Sequence, residues 1–474
     1  MKYLKLLRLF AVISFNLNAQ NNSKLENNQQ ENAIYVIKDV NVIPMTKENK
    51  VIEKATIVIK ENKIHSINKT IPENSIVIDG KDKWLIPGLI DMHVHNLASS
   101  SPWVIYHTKG PLVNYDTQNL MTLYIANGVT TVFELGARPE HIGQRNEITR
   151  GNVIGPRMAL AKVIGGNKSN FIAKNPSDGR NAVRFAKEEG YEFIKVYTWL
   201  NEETFKAVID EADKQNMKVV GHIPVAFKKK QAKDFFVPHF GLIAHAEELS
   251  KQTDDYSYEK AQEFARLAKE NNTWLIPNLT NMLSISQQAK SLQNIKNLQG
   301  FKYVHPLMQS KWLTSNGYYG ASEKLIEYYT NLYDFHFLIV KAFKEAGVPM
   351  VAGTDAGISG VIWGFSLHNE LKLLVEAGLT NEEALASATR LGAEWLEIDD
   401  KIGTIETGKF ADLILLNNNP LANISNTLKI AGVFVNGKWI NKNKTDIMLS
   451  EIENWNNINK EKYDWKELLN SLKN

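Results

Sequence analysis

The chain has 474 residues, 43% of them hydrophobic and 23% charged, which is enough apolar material for a sizeable core and too much for a disordered polymer. Lys plus Arg number 55 and Asp plus Glu 52, and Lys2, Lys5 and Arg8 fall in an acid-free first 19 residues, so the remainder balances at 52 against 52; a neutral body of this kind excludes a basic surface for nucleic acid or anionic lipid as the main theme. Cysteine is absent, which excludes disulfides, a thiolate nucleophile and a cysteine zinc site and leaves His, carboxylate or a less usual group to hold any metal.

Residues 1–19 combine a positive start, an apolar stretch from Leu6 to Phe15 broken by Arg8, and Asn16-Leu17-Asn18-Ala19 ahead of Gln20. This reads as a secretory signal cleaved after Ala19. The apolar stretch is about half of the roughly 20 residues needed to span a bilayer, and no later segment is long and apolar enough to do so. The expectation is an exported protein, periplasmic or secreted, with no membrane attachment after cleavage. Residues 20–32, rich in Asn and Gln, read as a linker.

Between residues 33 and 86, short β-rich runs (Ile34 to Ile37, Thr56 to Ile59, His65 to Ile67, Ser75 to Ile78) are separated by polar turns. The same texture returns over residues 403–444, in Ala411 to Leu416 and in Val433 to Val435 before Asn436-Gly437. One small β-sandwich built from both ends of the chain is expected. Residues 87–402 have a different rhythm. Eight apolar runs begin at Leu89, Val129, Arg157, Phe193, Lys218, Leu242, Trp274 and Pro349, with helical spacing between them, as in Asn181 to Glu189, Glu202 to Gln215 and Tyr258 to Asn271. Eight strand-plus-helix units predict an α/β chain with a (β/α)8 TIM barrel, whose chemistry gathers at the C-terminal ends of the strands. The polar, partly helical stretch Ser284 to Lys344 is read as an insertion or lid. Residues 445–474 carry apolar positions spaced for two amphipathic helices, a C-terminal helical tail.

His93 and His95 flank Val94 at the end of the first run, so the two-residue period of a strand points both imidazoles to one face. Lys195, His222, His245 and Asp355 stand in or at the ends of the fourth, fifth, sixth and eighth runs. Taken alone, His222 and His245 read as semi-buried core histidines and Asp355 as a turn or cap residue. Lys195 resists such a reading, because an unpaired ammonium inside an apolar strand costs several kcal/mol. Six such residues at one rim point to a metal site.

The segment Pro87-Gly88-Leu89-Ile90-Asp91-Met92-His93-Val94-His95, the ligand-type residues on runs one, four, five, six and eight, and the later Gly403-Thr404-Ile405-Glu406-Thr407-Gly408-Lys409-Phe410-Ala411-Asp412-Leu413 and Asn419-Pro420-Leu421 resemble the amidohydrolase superfamily. Within it they are most similar to the imidazolonepropionase-related metal-dependent hydrolases, which include Xaa-Pro and other dipeptidases. The resemblance covers nearly all of the chain beyond residue 32. It implies a binuclear centre of two divalent ions, zinc or a related metal. His93, His95 and Asp355 would hold one ion, His222 and His245 the other, and Lys195, carbamylated by carbon dioxide, would bridge them.

The activity so implied is hydrolysis of a carbon–nitrogen bond in an amide or peptide by a metal-bridging hydroxide, with Asp355 as catalytic base and then acid. Dipeptides or N-acyl amino acids are the expected small-molecule substrates. Asp91 shares a strand face with His93 and is read as an orienting residue. Tyr197, on the face of Lys195, and His368, soon after run eight, are the candidate substrate-binding residues. Pro224 stands two residues beyond His222, so the carbonyl-binding group of dipeptidase relatives is not carried over. Two alternatives stay open: a mononuclear cyclic amidohydrolase or deaminase, in which a bridging lysine has no use, and a non-catalytic binding protein on a decayed barrel.

Overall fold

A computed structural model describes residues 33–100, 113–166, 173–228 and 230–470; the expected signal and linker lie outside the described residues. The first part of the chain forms β1 (Tyr35–Val42), β2 (Ile52–Lys60), β3 (Lys63–Ile67), β4 (Ile76–Asp79) and β5 (Trp84–Pro87). The barrel follows, as β6 (Leu89–Val94), a short hairpin of β7 (Ser99–Ser100) and β8 (Val113–Asn114), then β9 (Val129–Ala137), β10 (Arg157–Ile164), β11 (Phe193–Val196), β12 (Lys218–Gly221), β13 (Phe240–Ala244) and β14 (Trp274–Ile276). β15 (Leu413–Leu416), β16 (Ile430–Val435) and β17 (Lys438–Asn441) complete the strands.

Seven barrel strands pair in parallel in the order β14-β13-β12-β11-β10-β9-β6. Their residues are apolar almost throughout and β6 is buried along its whole length, as expected of strands covered on both faces. The eighth run is not a regular strand, yet its backbone closes the ring. Val351 N donates to Leu275 O at 3.0 Å on one side, and Met92 N donates to Ala352 O at 2.9 Å on the other. The outer helices start where polar caps permit. Asn175, Asn201 and Ser257 accept from backbone amides three residues on, ahead of the helices Pro176–Glu188, Glu202–Lys214 and Tyr258–Glu270. Strands and helices thus fall close to the boundaries read from hydrophobic periodicity.

Two expectations do not carry over as read. The terminal strands pair as one continuous eight-stranded sheet, β17-β16-β15-β5-β1-β2-β3 with β4 also on β1, which does not confirm the small β-sandwich expected from both ends of the chain. The cause lies in β1, whose first half pairs with β4 and whose last residues pair with β5 across register shifts. Bulges of this kind increase bend and twist, and Ile37, Ile57, Ile59, Leu85, Leu413 and Phe434 pack as one core. Second, the stretch 284–344 is not wholly an insertion. Its last helix, Glu323–Ala346, buries Phe335, Ile339, Val340 and Phe343 and packs on Tyr258–Glu270 and Leu279–Lys290, so it belongs to the barrel's outer layer. The tail forms the helices Lys442–Asn459 and Trp465–Asn470. Among the described residues no helix is long and apolar enough to cross a membrane.

Arg157, the first residue of β10, joins the barrel to the small sheet. Its Nε lies 2.7 Å from Asp412 Oδ2, its Nη2 donates to Asn436 Oδ1 at 3.0 Å, and its guanidinium lies 4.1 Å from the Phe410 ring centre.

Candidate metal centre

β6 and the closing eighth run deliver the first group of side chains. His93 Nε2 and His95 Nε2 lie 3.2 and 3.0 Å from one oxygen, Asp355 Oδ1. Asp355 adopts φ +65°, a left-handed conformation that costs a non-glycine residue energy unless its surroundings impose it. Here Asp355 N donates to His93 O at 2.8 Å, and Asn281 Nδ2 donates to Asp355 Oδ2 at 2.7 Å. Asn278 Oδ1 lies 3.4 Å from His93 Nδ1. Both asparagines belong to the chain that leaves β14.

The second group comprises His222, His245 and Glu248, whose ligand-type atoms all lie within 4.8 Å of one another, as do those of His93, His95 and Asp355. Gly221 (φ +147°) brings the backbone before His222 against β11, where a Cβ would sit 2.2 Å from Val196 O; only glycine fits such an approach. His222 Nδ1 lies 2.7 Å from Thr198 Oγ1. His245, also left-handed at φ +74°, connects the two groups. Its Nε2 lies 3.6 Å from Asp355 Oδ2, and its ring stacks on His93 with centroids 4.7 Å apart.

Lys195 is fully buried on β11 and its charge reaches members of both groups, His93 and Asp355 in the first and His222 in the second. Burial pulls its ammonium down to about 8, against the pull of Asp355, Glu248 and Glu134. Burial and then the Lys195 charge also hold both His93 and His222 well below the usual imidazole value. For Asp355, burial opposes ionisation, but His245, His95 and Lys195 outweigh it and keep the carboxyl below its usual value. Buried polar atoms ordinarily have partners, yet His93 Nε2, both ring nitrogens of His245 and Asp355 Oδ1 have no hydrogen bond. Imidazole nitrogens and a carboxylate oxygen, buried, convergent and unbonded, suit a divalent cation.

The structure thus brings His93, His95, Lys195, His222, His245 and Asp355 to one place at the barrel mouth. Tyr197 is there too, 37% exposed, its ring 4.5 Å from that of His222. Asp91 is buried beneath them, accepting from His93 N at 3.2 Å, Thr354 N at 3.0 Å and Thr354 Oγ1 at 2.7 Å. It holds the backbone of His93 and of Thr354, the residue before Asp355, and has no hydrogen bond to the His93 or Asp355 side chain. Burial pushes its carboxyl up to about 7.

His368 departs from expectation. It is buried in the helix Phe365–Glu376, with Nδ1 3.0 Å from Thr427 Oγ1 and Nε2 3.1 Å from Asn127 O. Both ring nitrogens are engaged by Thr427 and Asn127, and the structure does not bring this side chain together with the six ligand-type residues.

Sequence reasoning missed Glu134, Glu248, Thr198, Asn278 and Asn281. Glu134 had a readable signal, being an acid inside the apolar run of β9. It is fully buried, with Oε1 3.5 Å from His95 Nδ1 and Oε2 accepting from Asn96 N at 2.5 Å.

Residues 84–440 match the model of the amidohydrolase family. A 5-methylthioadenosine/S-adenosylhomocysteine deaminase of Caldanaerobacter subterraneus subsp. tengcongensis is 25% identical over 467 residues, covering 88% of this chain and 95% of the relative. An imidazolonepropionase of Maricaulis maris is 41% identical over 78 residues, covering 16% of this chain and 19% of the relative. Among solved structures, a Xaa-Pro dipeptidase with methionine bound in its active site superposes with a TM-score of 0.65 at 23% identity, covering 86% of this chain and all of that one. The family match spans the barrel and, of the small sheet, β5 and the strands from the later part of the chain, and the chain belongs to the amidohydrolase family.

Proposed function

We propose that the protein is a binuclear metallohydrolase of amide bonds, acting on dipeptides or N-acyl amino acids. The observation that carries this reading is the fully buried Lys195, whose charge acts on His93 and Asp355 in one group and on His222 in the other. A lysine titrating near 8 is partly neutral at physiological pH. Its free amine would add to carbon dioxide, forming an N–C bond and releasing one proton, and the carbamate would supply anionic oxygen ligands in place of a buried cation.

Divalent ions held by these residues would polarise the scissile carbonyl and lower the pKa of bound water toward neutrality. Asp355 takes the proton of the attacking water and passes it to the leaving nitrogen. Asn281 fixes one of its oxygens by donating at 2.7 Å, which leaves the other toward His93 and His95. Tyr197, beside His222 and partly exposed, is placed to donate its phenol proton to a substrate carbonyl or carboxylate.

A mononuclear deaminase is the second reading, favoured by the full-length likeness to a methylthioadenosine deaminase. Metal content separates the two. Protein lacking residues 1–19, prepared with bicarbonate, is expected to hold about two metal ions per chain and to lose metal in the Lys195→Ala variant, with hydrolysis found in a dipeptide and N-acyl amino acid panel. One ion per chain, indifferent to Lys195, with ammonia released from adenosine-type substrates, would establish the deaminase. The same reading makes the enzyme an exported one, and cleavage after Ala19 is checked by the N-terminal mass of protein recovered from the periplasm or medium.

A further inference from the structure

Glu370 is a buried acid that the reaction above does not use. It stands in the helix Phe365–Glu376, which follows the eighth run, and it is fully buried. Its two oxygens face the start of the helix Leu279–Lys290, which follows β14. Oε1 accepts from Leu279 N at 3.0 Å and Oε2 from Thr280 N at 2.7 Å. Its neighbour Asn369 donates to Thr280 Oγ1 at 3.2 Å. The first amides of a helix have no partner within it and carry its positive end, so a carboxylate there satisfies two orphan donors and matches the dipole. Asn278, the residue before this helix, supplies no side-chain cap of its own and has a left-handed backbone at φ +52°. Glu370 takes over the capping task from outside, which frees the Asn278 side chain.

That freed side chain faces His93 Nδ1 at 3.4 Å, and Asn281, in the first turn of the helix, holds Asp355 Oδ2 at 2.7 Å. One helix start therefore sets both His93 and Asp355, and one acid fixes that helix start. The geometry points to Glu370 as a positioning residue of the metal centre, acting through the amides of Leu279 and Thr280 on Asn278 and Asn281, and through them on His93 and Asp355. It touches neither the ligand-type residues nor the space a substrate would fill. The inference rests on the reading of His93 and Asp355 as metal ligands.

Hydrogen exchange and cobalt titration of metal-free protein test it, using the wild type, Glu370→Gln, Asn369→Ala, Asn281→Ala and the double variant Glu370→Gln/Asn281→Ala. Gln keeps the volume of Glu but presents an amide group with a single acceptor. In Glu370→Gln, exchange at residues 278–281 is expected to accelerate at least tenfold while the strands β6 and β14 keep their protection. The tighter cobalt site is expected to weaken about tenfold, the lower end of what loss of an orienting partner costs. Asn369→Ala, which removes only the contact to Thr280, moves both readouts the same way by a smaller factor and serves if Glu370→Gln does not fold. A merely structural acid would add its loss to that of Asn281→Ala. A positioning residue makes the loss in the double variant clearly smaller than the product of the two single losses, the remainder passing through Asn278 to His93. Unchanged exchange at 278–281, or fully multiplicative losses, overturns the proposal. A wild type that takes up no cobalt overturns the metal-site reading instead, while the exchange arm still reads the anchoring by Glu370.

Discussion

Glu134 Oε1 lies 3.5 Å from His95 Nδ1, on the side of the ring opposite to Asp355, whose Oδ1 is 3.0 Å from His95 Nε2. The Glu134 carboxylate is itself held by the amides of Asn96 at 2.5 Å and Gly136 at 2.8 Å. A carboxylate behind a ligating imidazole fixes its tautomer and raises its basicity, and losing one costs about 10–100-fold in metal affinity or activity. Glu134→Gln is expected to weaken metal binding by such a factor without unfolding the barrel. Competition with a chelator of known affinity checks this, and affinity within twofold of wild type would show that Glu134 serves only the loop amides.

The same pair predicts how metal uptake depends on pH. Burial opposes a charge on His95, but Asp355 and Glu134 outweigh it and push the imidazole up to about 9 in the metal-free protein. A cation entering this group must displace that proton. His93 is held neutral and Asp355 ionised, so His95 is the member of its group that releases one. Affinity is expected to fall at least tenfold per pH unit below 9, and more steeply below about 8, where Lys195 must also give up a proton before it can be carbamylated. Zinc affinity at pH 6, 7 and 8 gives the slope, and a flat line would place the proton elsewhere.

One half-buried histidine, His305, and one buried one, His368, make stability depend on pH. Burial alone lowers His305 to about 4, and burial, opposed by the bond to Asn127, does the same for His368. Their folded values lie below the unfolded value of about 6.5, so the unfolded chain binds the extra protons. The contribution is complete above pH 6.5 and is lost as pH falls from 6.5 toward 4, up to about 3 kcal/mol for each group. Urea unfolding at pH 7 and pH 5 should show a smaller loss of stability in His368→Asn than in the wild type. Equal losses would remove His368 from this account.

Much of this molecule is legible in the sequence, for physical reasons that also mark where legibility ends. Barrel strands announce themselves because both faces are buried, so Val129 to Leu135 and Lys218 to Ile223 read as apolar runs whatever their partners. The six ligand-type residues stand out because each is polar where such a run ends. Asn278 and Asn281 carry no such contrast. An asparagine at a helix start is ordinary as a cap, and only the closure of the barrel between β14 and the eighth run brings these two against His93 and Asp355. His368 failed the other way: its place soon after run eight suggested the pocket, but the turn of its helix aims the imidazole at Asn127 and Thr427. The single bent sheet was hidden because strand texture does not reveal that β1 pairs with both β4 and β5 along one edge.

The joint between barrel and small sheet gives a stability prediction independent of the metal. Asp412 is buried and accepts from Arg157 Nε at 2.7 Å and from Asn436 N at 2.6 Å, which pairs it with the guanidinium across the joint. Replacing it by Ala removes the partner of Arg157 while the guanidinium stays against Phe410. Breaking a pair from one side costs more than the pair contributes, and because the Arg157 side chain is 32% exposed the charge left behind is partly solvated, so the loss is about 1–2 kcal/mol. The Asp412→Ala variant is therefore expected to unfold at a clearly lower urea concentration. Its folded fraction should keep wild-type metal content, since the joint lies at the N-terminal end of β10, opposite the rim. Replacing Arg157 and Asp412 together by Met and Leu should recover part of the loss by removing both charges. If the double variant is as unstable as Asp412→Ala, the joint works through shape and the Asn436 contacts, and the charge pair is incidental.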